Sequence, residues 1–141
     1  MKKINHFFIY VILLIAITGC VRRKVEIGEV SNKPITNNEI SLIFQNDSIS
    51  KGKANFILKN DSEESIVYGE YYEIEINKNG EWYELNEKVD FDASEFTLVA
   101  HESKVISINY GEVYSNLAKG KYRLIKKINN NFYIASEFNI N

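Results

Sequence analysis

From residue 39 to the C-terminus, apolar side chains recur at every second position in short runs that end at turn-forming residues. Ile40, Leu42 and Phe44 alternate until Gln45-Asn46-Asp47, and Ala54, Phe56 and Leu58 alternate until Asn60-Asp61-Ser62. Period two places such residues on one face of an extended strand, while Asn, Asp and Ser bond their own backbone and turn the chain. The same reading covers Ile106, Ile108 and Tyr110, and then Tyr122 to Ile128 and Phe132 to Ile140 around the turn Asn129-Asn130-Asn131. A helical period is confined to about one turn over Glu112 to Leu117. The pattern predicts an all-β domain of about seven strands.

Tyr71 to Glu87 (YYEIEINKNGEWYELNE) holds the strongest local signal. Asn79-Gly80 tolerates positive φ at both central positions of a type I′ turn, which predicts a hairpin with a two-residue loop. Ile76 then faces Tyr83 and Ile74 faces Leu85, so Tyr72, Ile74, Ile76, Tyr83 and Leu85 share the core face. Trp82 points outward beside Asn77, and Glu75 lies opposite Glu84, a like-charge pair that costs stability unless solvent or a cation separates it. A three-residue bulged loop is the alternative, turning Trp82 inward and Tyr83 and Leu85 out. The first register is preferred because it buries an isoleucine-tyrosine-leucine cluster instead of one tryptophan.

The N-terminus reads differently. Lys2 and Lys3 precede an apolar run, Phe7 to Ile17, which is shorter than the roughly 20 residues a membrane span needs and has the length of a signal-peptide core. Thr18 and Gly19 then lead to Cys20, the one cysteine of the chain. Ile17-Thr18-Gly19-Cys20 resembles the lipobox of bacterial lipoproteins, with Ile17 where leucine is commoner. The resemblance implies that the Cys20 thiol takes a diacylglyceryl group, that residues 1–19 are removed, and that Cys20 becomes the lipidated N-terminus. Two acyl chains hold a protein firmly to a bilayer, and Arg22, Arg23 and Lys24 would sit at the headgroups. Those three basic residues also leave an uncleaved anchor open. Residues 20–38 are expected to be the lipidated tether and 39–141 the domain, although Val25, Ile27 and Val30 have the spacing of a short first strand.

Leu117-Ala118-Lys119-Gly120-Lys121-Tyr122 has the L-x-x-G-x-Y form of a tyrosine corner, in which the tyrosine hydroxyl bonds back to the backbone. With "GEWYEL", "GKYRLIKKI" and "YIASEFNI" in that order, residues 39–141 resemble a bacterial immunoglobulin-like domain of the kind common in lipoproteins of Gram-positive bacteria. The resemblance implies an immunoglobulin-like antiparallel β-sandwich with Greek-key connections, and a structural role for Tyr122. It brings no catalytic motif, cofactor or metal ligand.

Composition narrows the function. A net charge of −2 opposes a nucleic-acid binder, which needs a basic surface. One cysteine excludes an internal disulfide, a thiolate zinc site and a CxxC redox centre. His101 is the single histidine beyond the signal, has no nucleophile motif beside it, and reads as a surface residue. Asp90 to Glu95 starts like a calcium loop, but Glu95 stands where glycine is needed and His101 where the twelfth-position acid belongs. An enzyme using carboxylates such as Asp90, Asp92 and Glu95 is a further reading. Residues 70–95 carry a net −7 and residues 101–127 a net +4, which predicts an electrically polar domain. Trp82 with Glu75 and Glu84 is the candidate recognition patch, because exposed aromatics are enriched at interfaces; a solvated outer strand face is the plainer reading. The expectation is a non-enzymatic lipoprotein without cofactor or metal at the outer face of the cytoplasmic membrane. Its partners would be the bilayer, through Cys20, and an unidentified protein or cell-wall ligand. The alternatives are an inhibitor or immunity-type protein that blocks a secreted enzyme, with Ser94 to Ala100 as its loop, and a pheromone role for the excised signal.

Overall fold

A computed structural model describes residues 25–36, 38–86 and 90–141; the signal, the lipobox-like motif and Cys20 lie outside the described residues. The strands are β1 (Glu26–Val30), β2 (Ile40–Phe44), β3 (Lys53–Asn60), β4 (Ile66–Gly69), β5 (Glu73–Lys78), β6 (Glu81–Asn86), β7 (Glu95–Leu98), β8 (Ser103–Asn109), β9 (Gly120–Ile128) and β10 (Phe132–Ile140). One short helix, α1 (Tyr110–Tyr114), follows β8, so Tyr110 starts a helical turn instead of closing the strand. Its spacing from Tyr114 buries both rings on one side.

All strand pairs are antiparallel and form two sheets. The larger runs β1-β6-β5-β9-β4-β7, with β10 also paired to β9, and the smaller runs β2-β3-β8. β4 and β5 follow one another beside β9: Tyr68 stands opposite Ile128, and Glu73 to Ile76 opposite Ile125 to Tyr122. The sheets pack face to face over a core drawn from both, including Phe56 and Leu58 of β3, Ile74 of β5, Tyr122 and Leu124 of β9, and Ile134 and Phe138 of β10. Each such side chain contributes about 1.5–3 kcal/mol relative to exposure. Phe44, Phe56 and Phe138 meet ring to ring at 5.5–5.8 Å. Tyr122 stacks on Phe138 and its hydroxyl donates to the Ala118 carbonyl at 2.7 Å, the bond of a tyrosine corner.

The hairpin takes the two-residue loop, with φ of 54° at Asn79 and 90° at Gly80. Ile76 faces Tyr83, Asn77 faces Trp82, and Glu75 faces Glu84. Among the described residues ten strands replace the expected seven: β4 and β7 escape the alternation pattern, and β1 is the short first strand that the spacing of Val25, Ile27 and Val30 left open. β4 and β7 are four residues each, too short to display a period. β7 also corrects the loop expected over Ser94 to Ala100: Ile66 to Gly69 pair with Leu98 to Glu95, and Leu98 is buried. β1 corrects the tether boundary. It pairs with β6 through Glu26–Asn86, Ile27–Leu85 and Val30–Tyr83, and the Ser31 amide donates to the Trp82 carbonyl. The folded part therefore begins near residue 26, not 39. β1 supplies hydrogen-bonding partners to the edge of β6, and its own side chains stay mostly exposed, which is why it left little hydrophobic signal.

Candidate functional site

Strand alternation sends Glu73 and Glu75 of β5, Trp82 and Glu84 of β6, and Lys121 and Arg123 of β9 to the outer face of the larger sheet. Because β5 lies between β6 and β9, Glu84, Glu75 and Arg123 form a row across three strands. Arg123 donates to Glu75 Oε2 from Nε at 2.6 Å and sits with Nη2 2.5 Å from the same oxygen. Its guanidinium covers the Trp82 ring at 4.7 Å from the centroid, with Lys121 Nζ at 5.7 Å. Lys121 in turn pairs with Glu137 at 2.6 Å.

Beyond β1 the chain from Ser31 to Thr36 acts as a strap that ends on β10, where Ile35 bridges Tyr133 and the Thr36 amide donates to the Tyr133 carbonyl. The strap carries Lys33, whose Nζ lies 2.7 Å from Glu73, 2.5 Å from Glu84 and 3.8 Å from Glu75. Burial by itself would lower the Lys33 pKa, but its bonds to Glu73 and Glu84 outweigh that and hold it above the usual lysine range. The like-charge pair of the hairpin is thus separated by a cation, and that cation comes from the segment expected to be tether.

These contacts revise the exposure expected of the patch. Glu75 is 1% exposed instead of solvated, and among the described residues its Oε1 has no hydrogen-bond donor. Glu84 remains partly exposed and Trp82 is half-buried beneath Arg123. The electrical polarity expected from the charge runs is compensated where the acidic β5 lies against the basic β9. Glu73, Glu75 and Glu84 are the acidic group that converges within 4.8 Å among the described residues, and the Lys33 ammonium occupies the position a metal ion would need. The carboxylates are tied to cations, so the arrangement is a charge-compensated surface.

The other candidates stand apart. His101 is exposed, at a φ of 61°, with Nε2 3.3 Å from Glu63. Asp90 and Asp92 are exposed on either side of Phe91, which packs on Tyr71 and Tyr72. Glu95 meets Asn130 at 3.3 Å. Lys33, Arg123 and Lys126 were missed by the sequence reading. Only Lys126 left a signal, as a charge at an inward position of an alternating strand.

No curated protein matches the chain. Among solved structures, it resembles part of a β-glucosidase involved in saponin metabolism from intestinal bacteria, at 14% identity and a TM-score of 0.33. That likeness covers 84% of this chain and 16% of the other. The model of the bacterial Ig-like domain aligns over residues 35–139, from the strap through the tyrosine corner to β10, and the chain belongs to that family, whose fold suits a surface or binding role.

Proposed function

We propose that this chain is a non-enzymatic, lipid-anchored binding module at the outer face of the cytoplasmic membrane, serving adhesion, assembly or ligand capture. The observation that carries the reading is Ile17-Thr18-Gly19-Cys20 at the end of a signal-like apolar run. The position of β1 supports it further. Five residues separate Cys20 from Glu26, a leash of at most about 20 Å, so an acylated Cys20 would hold the domain close to the headgroups with Arg22, Arg23 and Lys24 among them. The tied carboxylates, with His101 apart from them beside Glu63, favour recognition over catalysis. An inhibitory role has less to stand on, because residues 95–98 are committed to β7.

Mass spectrometry of the chain extracted from membranes of a Gram-positive host tests the anchor. The expected product begins at Cys20 and carries the diacylglyceryl mass, while a Cys20→Ala chain keeps its signal and gains no lipid. An unmodified thiol on a chain that still begins at Met1 would overturn the proposal.

A further inference from the structure

Along β9 the inward series reads Tyr122, Leu124, Lys126, Ile128: three core side chains and one ammonium between the two sheets. Lys126 is 1% exposed. Its Nζ donates to the Gly69 carbonyl at 2.5 Å and lies 5.8 Å from the centre of the Tyr68 ring. Among the described residues no carboxylate oxygen comes within 4.0 Å of it. A buried ammonium has three donors and a full charge to compensate, and one carbonyl does neither completely. Exposed Glu70 attracts it from farther away. Burial pulls the Lys126 pKa down to about 8, which still leaves the amine mostly charged at neutral pH.

The lysine lines a cavity of about 200 Å³ between β4 and β8, walled by Tyr68, Tyr72, Phe91, Phe96 and Ile106. Lys104 stands beside it, 5.6 Å from the centre of the Phe96 ring. Aromatic walls alone would suit a cation. Among the described lining residues two ammonium groups stand against one carboxylate, that of Glu70, which reverses that preference, and the volume admits about one ring with a short chain.

We infer that this cavity binds a small carboxylate with an apolar, ring-sized body, its carboxylate against Lys126 Nζ and its body among Tyr72, Phe91 and Phe96. The anion supplies the charge partner that the fold withholds, and the apolar body covers ring surface that water would otherwise meet. The site is separate from the outer-face cluster and does not depend on acylation of Cys20.

The test titrates the full chain in lipid nanodiscs with phenylacetate, phenylacetamide and phenethylamine by calorimetry, with empty nanodiscs as the blank. Phenylacetate is expected to bind at about millimolar affinity or tighter, as a ligand of its size allows. It should exceed phenylacetamide by about tenfold, the advantage of a charge-assisted bond, and phenethylamine should bind weakest of the three. Phenylacetate should also raise the titration midpoint of the Lys126 amine, followed by NMR of labelled lysine. Lys126→Met is expected to erase the preference for the acid over the amide. Equal affinity of the wild-type chain for acid and amide, or no saturable phenylacetate binding, would overturn the inference even if the variant failed to fold.

Discussion

Two ionisable side chains, Glu75 and Lys126, are each 1% exposed, and their environments settle the cost of burial in opposite ways. Glu75 is compensated by Arg123 and Lys33. Lys126 has no close carboxylate among the described residues, and burial lowers its pKa from 10.5 to about 8. Between those two values the unfolded chain holds more protons than the folded one, so stability increases with pH across that window. From about pH 7.5 to about 9.5 the gain should be about 2 kcal/mol in urea unfolding, and Lys126→Met should flatten it. Exposed Lys104 and Glu70 face the same cavity. Burial raises the Tyr71 and Tyr72 hydroxyls above their ordinary range, and their opposing contribution enters above about pH 10. A flat wild-type profile would mean that Lys126 is solvated. Tyr122 gives a second residue-scale prediction. Tyr122→Phe removes the bond to the Ala118 carbonyl and should cost about 1 kcal/mol, whereas Tyr122→Ala empties the core beside Phe138 and should cost about 3–5 kcal/mol. The corner was legible because its bond spans four residues; the inward lysine was visible in the alternation, but its cavity depends on β8 from the other sheet.

Among the elements, the β5–β6 hairpin was readable down to its register because Asn79-Gly80 and the flanking alternation are local properties. The opposition of Glu75 and Glu84 came with that register. The burial of Glu75 and the cations around the pair did not, because Arg123 is 48 residues from Glu75 and Lys33 is 51 from Glu84, and neither approach follows from periodicity. It follows from the placement of β9 beside β5 and of the strap over both. Lys33→Met should therefore cost about 2–3 kcal/mol by leaving Glu73, Glu75 and Glu84 with Arg123 as their remaining close cation. Adding Glu75→Gln should recover part of the loss, while Glu84→Gln alone should change little because that carboxylate is partly exposed. A double-mutant cycle in urea gives the Lys33–Glu75 coupling, and additive losses would show that the strap is held by its backbone bonds alone.

For the whole molecule, the boundary of the folded unit decides how it stands on a membrane. The expected tether of residues 20–38 would let a lipid-anchored domain swing free, whereas a chain that folds from residue 26 would, if acylated at Cys20 as proposed, be held on a short leash. The boundary is measurable by comparing chains that begin at Val25 and at Glu39. The shorter chain keeps β2 to β10 but loses the β1 pairing, Lys33 and the Ile35 bridge, so β6 becomes an open edge and Glu75 loses a cation. It should be less stable by about 3–5 kcal/mol, and its bare edge should promote association that size-exclusion chromatography detects. Equal urea midpoints and a monomeric shorter chain would assign β1 and the strap no energetic role. The long-leash geometry would then return, because among the described residues the contacts this comparison removes are those that link residues 25–36 to the sheet.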